Sequence, residues 1–373
     1  MTQLFSNFTL TSPRGPLTLD NRIVIAPMCQ YAADNGQATD WHLMHWGNLL
    51  NGGAGMLIIE ATAVTARGRI TPQCLGLWDD ATAAALQDTL HRARRLAPQV
   101  PVCIQLAHAG RKGSSAVPWQ GGQLLDDAQG GWWPEGPSAV PHLTTETIPE
   151  AISAQGLVDI REAFVKAAER AQTMGIEAIE LHAAHGYLLH QFLSPISNQR
   201  SDAYGGNFEA RIRFPSEVFQ AVRNVYQGSL GIRLSATDWV EGGWTPEETA
   251  DFSARLKQDG LDFVHISTAG VSPLQKIAIG PEYQVPFAKL VKQKTGLPTI
   301  AVGLITDPHQ ANDIVARGDA DMVALARAFL YKPRWGWEAA AALKATVKAT
   351  PAYWRCLPRE AQSIFGDVRI GMR

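Results

Sequence analysis

The chain alternates short apolar runs with amphipathic segments over most of its length. Eight runs have the Val, Ile and Leu content of buried strands, and they begin near residues 23, 56, 101, 176, 230, 261, 297 and 320. Segments with helical spacing lie between and after them, at 40–53, 80–97, 153–174, 207–226, 245–259, 284–295, 306–317 and 334–347. Continuous apolar strands separated by helices predict a parallel sheet that is covered by helices.

Eight strand–helix units favour closure of this sheet into a (β/α)8 TIM barrel. The competing fold is an open doubly wound sheet, but the GxGxxG fingerprint that usually follows its first strand is absent. We therefore predict one barrel over residues 1–348, with a long insertion after the third strand and a C-terminal tail over 349–373. The insertion, 108–150, is rich in Gly, Pro and Trp. We expect it to be a lid or binding loop, and the alternative is a solvated excursion.

The charged, apolar and cysteine residues indicate which classes of partner and which kinds of site we do not expect. Lys plus Arg number 33 and Asp plus Glu number 35, and no basic stripe is available for a phosphate backbone, so we expect no nucleic acid. No run of about 18 apolar residues and no signal-peptide pattern is found, so we expect a cytoplasmic protein without membrane association. The four cysteines are widely spaced and include no CxxC, which predicts neither a disulfide framework nor a zinc ribbon.

The most informative strand end is the fourth, in the stretch "IELHAAHGYLLHQFLSP", because barrel sites are built at the C-terminal ends of strands. His182 and His185 could bind a metal ion, but a catalytic zinc needs a third protein ligand. The first strand, where metal-hydrolase barrels carry a His-x-His pair, ends in Met28-Cys29-Gln30. The alternative is that the histidines donate hydrogen bonds to a partly negative oxygen while Tyr187, with an ordinary pKa near 10, protonates a carbanion-like centre. One histidine with a purely structural role is the third interpretation. We expect no metal.

Three further strand ends indicate an anionic ligand. Arg233 ends an otherwise apolar strand, so its charge needs either a protein carboxylate or an anionic cofactor or substrate. Gly303 and Arg327 end the seventh and eighth strands, where many barrels bind a phosphate group through backbone N–H groups. A phosphorylated ligand is therefore expected.

These residues lie in segments that together resemble a known family. The segments are "NRIVIAPMCQY", "QLAHAGRK", "ELHAAHGYLLHQFLSPISNQRSDAYGGNFEARIRF", "IRLSATDW", "AVGLIT" and "ALARAFL". In this order, and over nearly the whole chain, they resemble the Old Yellow Enzyme family of flavin-dependent ene-reductases, in its thermophilic-like or xenobiotic-reductase branch. The resemblance implies non-covalent FMN across the barrel mouth. It also implies that hydride passes from NADPH or NADH to N5 of FMN, and then to the β-carbon of an activated alkene.

The resemblance implies a cofactor set. The residues around the isoalloxazine would be Pro27, Met28, Cys29, Ala61, Gln105 and Arg233. Gln105 and Arg233 would contact its pyrimidine edge, and Arg233 would stabilise negative charge near N1. Cys29 would tune the reduction potential and would not act as a nucleophile, since no general base for it is evident. The phosphate side would be formed by Ser267, Gly303, Ala326 and Arg327.

The resemblance also implies a substrate set. His182 and His185 would bind the carbonyl oxygen of the alkene, or the oxygen of a phenolic ligand, and Tyr187 would protonate the α-carbon. Tyr31 resembles a second substrate-facing phenol, and its alternative is an ordinary packing role. The tail segment "PAYWRC" resembles one that some relatives insert into a neighbouring subunit's site, so Trp354 and Arg355 are expected there in a homodimer or homotetramer.

Two other functions remain open from the residues. A metal-dependent hydrolase or lyase on the same barrel would show bound metal. A flavin-binding protein with incidental reductase activity would accept electrons from NAD(P)H without passing them to enones at a useful rate.

Overall fold

A closed barrel of eight parallel strands forms the centre of the molecule. The computed structural model describes residues 2–369 and 371, apart from the side chains of Arg359 and Gln362. The strands are β1 (Ile23–Ile25), β2 (Met56–Ala63), β3 (Val102–Ala107), β4 (Ala178–Ala183), β5 (Ser229–Ser235), β6 (Phe263–Ser267), β7 (Thr299–Ala301) and β8 (Met322–Leu325). They are neighbours in chain order, and β8 pairs with β1 to close the ring. The prediction of a (β/α)8 TIM barrel is confirmed.

Each predicted helix is present. The helices are α1 (Asp40–Leu50), α2 (Asp80–Arg95), α3 (Ala154–Thr173), α4 (Phe208–Val225), α5 (Pro246–Gln258), α6 (Val285–Thr295), α7 (Pro308–Ala316) and α8 (Trp335–Ala342). Polar caps fix several starts: Thr245 accepts the N–H of Glu248, and Asp307 accepts two N–H groups of the first turn of α7. Helix α8 is shorter than predicted, and the chain takes a positive φ of 53° at Lys344 soon after it ends.

Two short helices and an N-terminal hairpin are among the elements that were not predicted. Short helices at Leu188–Leu193 and Arg327–Tyr331 follow β4 and β8, and an antiparallel hairpin joins Phe8–Leu10 to Leu17–Leu19. Leu10 and Leu19 are fully buried in the same cluster as the barrel interior. The hairpin therefore closes the N-terminal end of the barrel, which leaves the opposite end for the site.

The barrel interior is apolar near its N-terminal end and polar near its C-terminal end. Phe263 of β6 fills the space beside Gly231 of β5, where a Cβ atom would lie 2.2 Å from the phenyl ring. Nearer the C-terminal end, the buried polar residues on alternating positions are Gln105, Glu180, His182, Arg233 and His265. Polar side chains are therefore concentrated where the strands end.

The insertion and the tail lie outside the barrel. The insertion contains one short parallel pair, Glu135–Gly136 with Glu150–Ala151, and is otherwise irregular. The tail folds back on α8, where Trp337 packs against Phe365 with 5.0 Å between ring centroids. Among the described residues, no helix combines the length and apolar character that crossing a bilayer requires.

Gly231→Ala should lower the free energy of unfolding by about 1–3 kcal/mol, because the added methyl group overpacks the interior against Phe263. Chemical denaturation measures this change. Gly280→Ala is the matched control, since a Cβ atom there meets nothing within 4 Å; its effect should stay within about 0.5 kcal/mol. Adding Phe263→Leu to Gly231→Ala should recover part of the loss. If the double variant loses as much free energy of unfolding as the two single variants lose together, this steric explanation is wrong.

Candidate active site

His182 is a neutral hydrogen-bond donor at the end of β4. Its Nδ1 accepts the N–H of Ala184 at 3.2 Å, so the ring proton lies on Nε2. Burial lowers the pKa of His182 well below its usual value, and the positive charge of Arg233 acts in the same direction. No hydrogen bond between this Nε2–H group and any described residue is present, so the group is available to a ligand.

His185 is held in a left-handed backbone conformation, with a φ of 58°. Its N–H donates to Ser235 Oγ at 2.9 Å, and its Nε2 lies 2.8 Å from Ser267 Oγ. Lys112 Nζ donates to the carbonyl oxygens of His185 and Gly270, at 3.0 and 3.1 Å. Burial and the charge of Arg233 also lower the pKa of His185, so this imidazole is neutral too.

The loops after β4 and β6 touch through their backbones beside His185. A Cβ atom on Gly186 would lie 2.1 Å from the Gly270 carbonyl oxygen, and both glycines have positive φ. Glycine is therefore required at this contact by space as well as by conformation. The position of His185 depends on both loops.

Tyr187 completes the cluster. Its ring meets that of His182 edge to face with 4.9 Å between centroids, and the His182 and His185 rings are 5.2 Å apart. Burial raises the pKa of Tyr187 well above its usual value. The phenol therefore keeps its proton at neutral pH. Lys112 Nζ lies 5.2 Å from the centre of this ring.

A buried hydrogen bond between a histidine and a carboxylate supports the turn that carries Tyr187. Gly186 N–H donates to His190 Nδ1 at 2.9 Å, and His190 Nε2 donates to Asp238 Oδ1 at 2.8 Å. Burial alone would raise the pKa of Asp238, but His190, Ser194 and the Trp244 N–H together lower it, so the carboxylate is charged. The turn is thereby fixed to the loop after β5.

Cys29 follows β1 and lies beside Ala61 of β2. Its thiol contacts the Ala61 backbone and the Tyr31 hydroxyl. Burial raises the pKa of Cys29 well above its usual value, with further contributions from Cys74 and Glu60. The thiol is therefore protonated, and the expectation that Cys29 is not a nucleophile stays a prediction. Tyr31, with a φ of 52°, packs edge to face against Trp119 of the insertion at 5.8 Å.

A cavity of about 770 Å³ extends from the barrel interior to the ends of β7 and β8. Five of the predicted cofactor residues are in its lining: Arg233, Ser267, Gly303, Ala326 and Arg327. Its volume is in the range of cofactor sites. Gly303 has a φ of 121°, and a Cβ atom there would crowd Gln284 at 3.1 Å, so both conformation and space favour glycine at this position of the lining.

Arg233 is buried, with only 8% of its surface exposed, and it has no hydrogen bond and no ion pair with any described residue. A buried guanidinium without a protein partner is costly. The structure does not show the protein carboxylate that was one of the two expected partners of Arg233. The residues in this cavity fit an elongated ligand with an electron-rich ring at Arg233 and a phosphate near Gly303 and Arg327.

The sequence matches the family described as NADH:flavin oxidoreductase / NADH oxidase over residues 3–345. The chain belongs to the Old Yellow Enzyme family. It is 39% identical over 356 residues to an NADPH dehydrogenase of Geobacillus sp. (strain WCH70), and the aligned region covers 95% of this chain and 98% of that relative. It is 39% identical over 360 residues to an NADPH dehydrogenase of Listeria innocua serovar 6a, with 95% and 99% covered. Morphinone reductase is similar in structure, with a TM-score of 0.75, 25% identity and 99% of both chains covered.

This Old Yellow Enzyme family member is an FMN-dependent oxidoreductase that uses NAD(P)H as reductant. The resemblance inferred from the sequence segments is confirmed. One similar structure is that of morphinone reductase in complex with tetrahydroNAD, with a TM-score of 0.74, 25% identity, and 94% of this chain and 93% of that chain covered.

The structure brings most of the predicted site residues of this oxidoreductase to one end of the barrel. His182, His185 and Tyr187 form one cluster, and the loop from Pro27 to Tyr31 lies beside Ala61. Ser267 lies between two groups, because it contacts His185 and also lines the cavity.

Trp354 and Arg355 do not lie with these residues. Trp354 packs at the N-terminal end of the barrel, in a groove also lined by Asn21 and Val100, and Arg355 is exposed. Within one chain the tail therefore does not reach the site. Their predicted role in a neighbouring subunit's site stays a prediction.

Several supporting residues were missed by the sequence analysis: Lys112, Glu180, His190, Ser235, Asp238, His265 and Gln284. The strand alternation carried a usable signal for two of them. Glu180 and His265 stand two residues before His182 and Ser267, so they point to the same side of their strands. No cluster of three or more His, Cys, Asp or Glu residues suited to a metal ion occurs in the described part of the chain.

His182 should remain a neutral Nε2–H tautomer from about pH 8 down to about pH 6, because burial and Arg233 oppose its protonation. Nitrogen chemical shifts of protein labelled at histidine measure the tautomer directly. His182→Gln assigns the signal by removing it. An imidazolium at the lower pH, or a proton on Nδ1, would show that the donor assignment is wrong.

Proposed function

We propose that this oxidoreductase is an ene-reductase. Its substrates are α,β-unsaturated carbonyl compounds and related activated alkenes, and NADPH or NADH supplies the electrons. When bound, FMN supplies hydride transfer from the nicotinamide to the substrate β-carbon. The observation that carries the proposal is the cluster of two neutral histidines and a protonated phenol, His182, His185 and Tyr187, at the mouth of the barrel.

The cavity supports the phosphate side of the cofactor placement that we propose. We assign the isoalloxazine to Pro27, Met28, Cys29, Ala61, Gln105 and Arg233, and the phosphate side to Ser267, Gly303, Ala326 and Arg327. The unpartnered guanidinium of Arg233 and the position of Gly303 and Arg327 in the lining of the same cavity support this direction. Arg233 would contact the electron-rich pyrimidine edge, and Arg327 would add positive charge near the phosphate.

The two histidines bind the substrate carbonyl oxygen. His182 Nε2–H is unpartnered among the described residues, and His185 can exchange its contact with Ser267 for the ligand. Both rings are neutral, so they donate hydrogen bonds without giving up a proton. Such donors stabilise the charge that develops on the oxygen, and they do so most effectively where water is excluded.

Tyr187 delivers the proton to the α-carbon. Because its pKa is raised, the phenol protonates only a strongly basic centre, which is what an enolate carbon provides. The Lys112 ammonium beside the ring stabilises the phenolate that remains. Burial lowers the pKa of Lys112 to about 8, so this support weakens in alkaline solution.

The insertion forms part of the substrate side. Trp119 is 69% exposed and touches Tyr31 with a ring edge, so the pair offers an aromatic wall at the mouth. This arrangement supports a lid or binding loop over a solvated excursion. Phenolic ligands, which imitate an enolate oxygen, fit the same pocket.

We also propose a homodimer or homotetramer in which Trp354 and Arg355 reach a neighbouring site. The exposed position of Arg355 leaves it free for such a contact. Light scattering gives the mass of the assembly, and Arg355→Ala tests the contact through the KM for the alkene. The cytoplasmic location expected from the sequence is part of the same proposal.

An anaerobic visible spectrum tests the function directly. Flavin absorbance should bleach after NADPH is added and return after cyclohexenone is added. Return of colour with oxygen but not with the enone would leave an NADPH oxidase and would remove the ene-reductase proposal.

Tyr187→Phe should keep reduction by NADPH and slow the alkene half-reaction about a hundredfold or more, because only the proton donor is lost. Stopped-flow absorbance separates the two steps. Tyr204→Phe is the control, since this tyrosine bonds to Glu217 on the outer side of the barrel and should behave like the wild type. Unchanged alkene reduction by Tyr187→Phe would contradict the assigned acid.

His182→Ala should weaken the binding of a phenol about tenfold or more, because a donor to a negatively charged oxygen is removed. Titration of the long-wavelength absorbance that a phenolate produces on FMN measures the dissociation constant. His91→Ala, at an exposed position of α2, should leave it unchanged. Equal phenol affinity in His182→Ala and the wild type would rule out the donor role.

A further inference from the structure

A buried carboxylate lies inside the barrel, directly below the candidate site. Glu180 of β4 stands two residues before His182 and is fully buried. A charge in this position needs several donors to remain stable. The carboxylate has two, and both come from other strands.

The first donor is the side-chain amide of Gln105 on β3, whose Nε2 lies 2.6 Å from Glu180 Oε1. The second is His265 on β6, whose Nδ1 lies 2.7 Å from Glu180 Oε2. Because an ionised carboxylate can only accept hydrogen bonds, Gln105 must present its NH2 group to it. The Gln105 carbonyl oxygen is left without a partner among the described residues and faces away from the carboxylate.

The same carboxylate acts on Arg233. Arg233 is the register neighbour of His182 on one side and of His265 on the other. Burial lowers the pKa of Arg233, and the charge of Glu180 opposes that effect. Burial and Arg233 lower the pKa of His265, so this ring is neutral. The polar layer therefore holds one negative and one positive charge.

We propose that Glu180 is a positioning residue for the flavin ring. It fixes the Gln105 amide so that the carbonyl oxygen is offered to the N3–H of the pyrimidine ring. It also offsets part of the positive charge with which Arg233 acts on that ring. The proposal rests on the placement of the pyrimidine edge at Gln105 and Arg233 that is proposed above.

The isosteric variant Glu180→Gln separates these effects from a loss of packing. The two donors approach different oxygens of the carboxylate, and the uncharged amide has an oxygen at only one of these two places, so it cannot accept from both Gln105 and His265 in their present positions. Gln105 is then free to turn, and FMN should bind about tenfold more weakly, the effect of one lost hydrogen bond. The field of Arg233 is no longer offset, so the reduction potential should become more positive by about 30 mV, a tenfold change in the two-electron equilibrium.

Two measurements on reconstituted protein test the proposal. Quenching of FMN fluorescence gives the dissociation constant, and equilibration with a reference dye gives the potential; neither depends on turnover. Glu180→Asp keeps the charge but is one methylene shorter, so it should weaken FMN binding with the potential nearly unchanged. In a Gln105→Leu background, Glu180→Gln should cause no further loss of FMN affinity, while the shift in potential should persist.

An unchanged dissociation constant and potential in Glu180→Gln would overturn the proposal. If Glu180→Gln does not fold, the FMN dissociation constant of Glu180→Asp tests the proposal. A wild-type value in Glu180→Asp would overturn it equally. A different result would show that the pyrimidine edge of the flavin does not lie at Gln105 and Arg233. In that case the variants Gln105→Leu and Arg233→Lys would bind FMN as the wild type does. Failure of the ene-reductase function would leave both measurements intact and would appear only as missing reoxidation by the enone.

Discussion

Inward-facing ionisable groups of the closed barrel are cut off from water, and each must find a partner or lose its charge. The site is organised by this requirement. Glu180 has hydrogen-bond donors from two other strands, and its charge offsets part of the cost of burying Arg233, which has no direct partner among the described residues. The groups around them are neutral because burial opposes their charged forms: the two histidines do not gain a proton beside a buried guanidinium, and the phenol does not ionise in neutral solution. Protonation states follow from where the strands place the side chains.

The barrel was predictable because its signal is repeated eight times. Each strand is an apolar run of the right length, and each helix has a 3.6-residue period and often a polar cap. The N-terminal hairpin was missed because its strands, Phe8–Leu10 and Leu17–Leu19, each hold only two apolar residues on either side of a threonine and stand outside the strand–helix repeat. The site was predictable where its residues are close in sequence, as His182, His185 and Tyr187 are.

Partnerships between distant residues were not predictable from one sequence. His190 and Asp238 are 48 residues apart, and Lys112 and His185 are 73 apart, so no local pattern links them. The barrel topology brings them together, and only the folded chain shows which ones meet. The tail is a related case: its segment resembles one that reaches a neighbouring site, but apolar contacts with α8 decide where it lies in the isolated chain.

The backbone contact between Gly186 and Gly270 limits how this barrel can diverge. Loops at the catalytic end of a TIM barrel are usually treated as separate modules, each exchangeable on a constant scaffold. Here the loops after β4 and β6 share one contact surface, and the Lys112 side chain binds a carbonyl from each. A loop grafted at one of these places brings a mismatch at the other. The two loops therefore have to change together. A library of variants that alters both loops at once will retain more active members than one that alters a single loop.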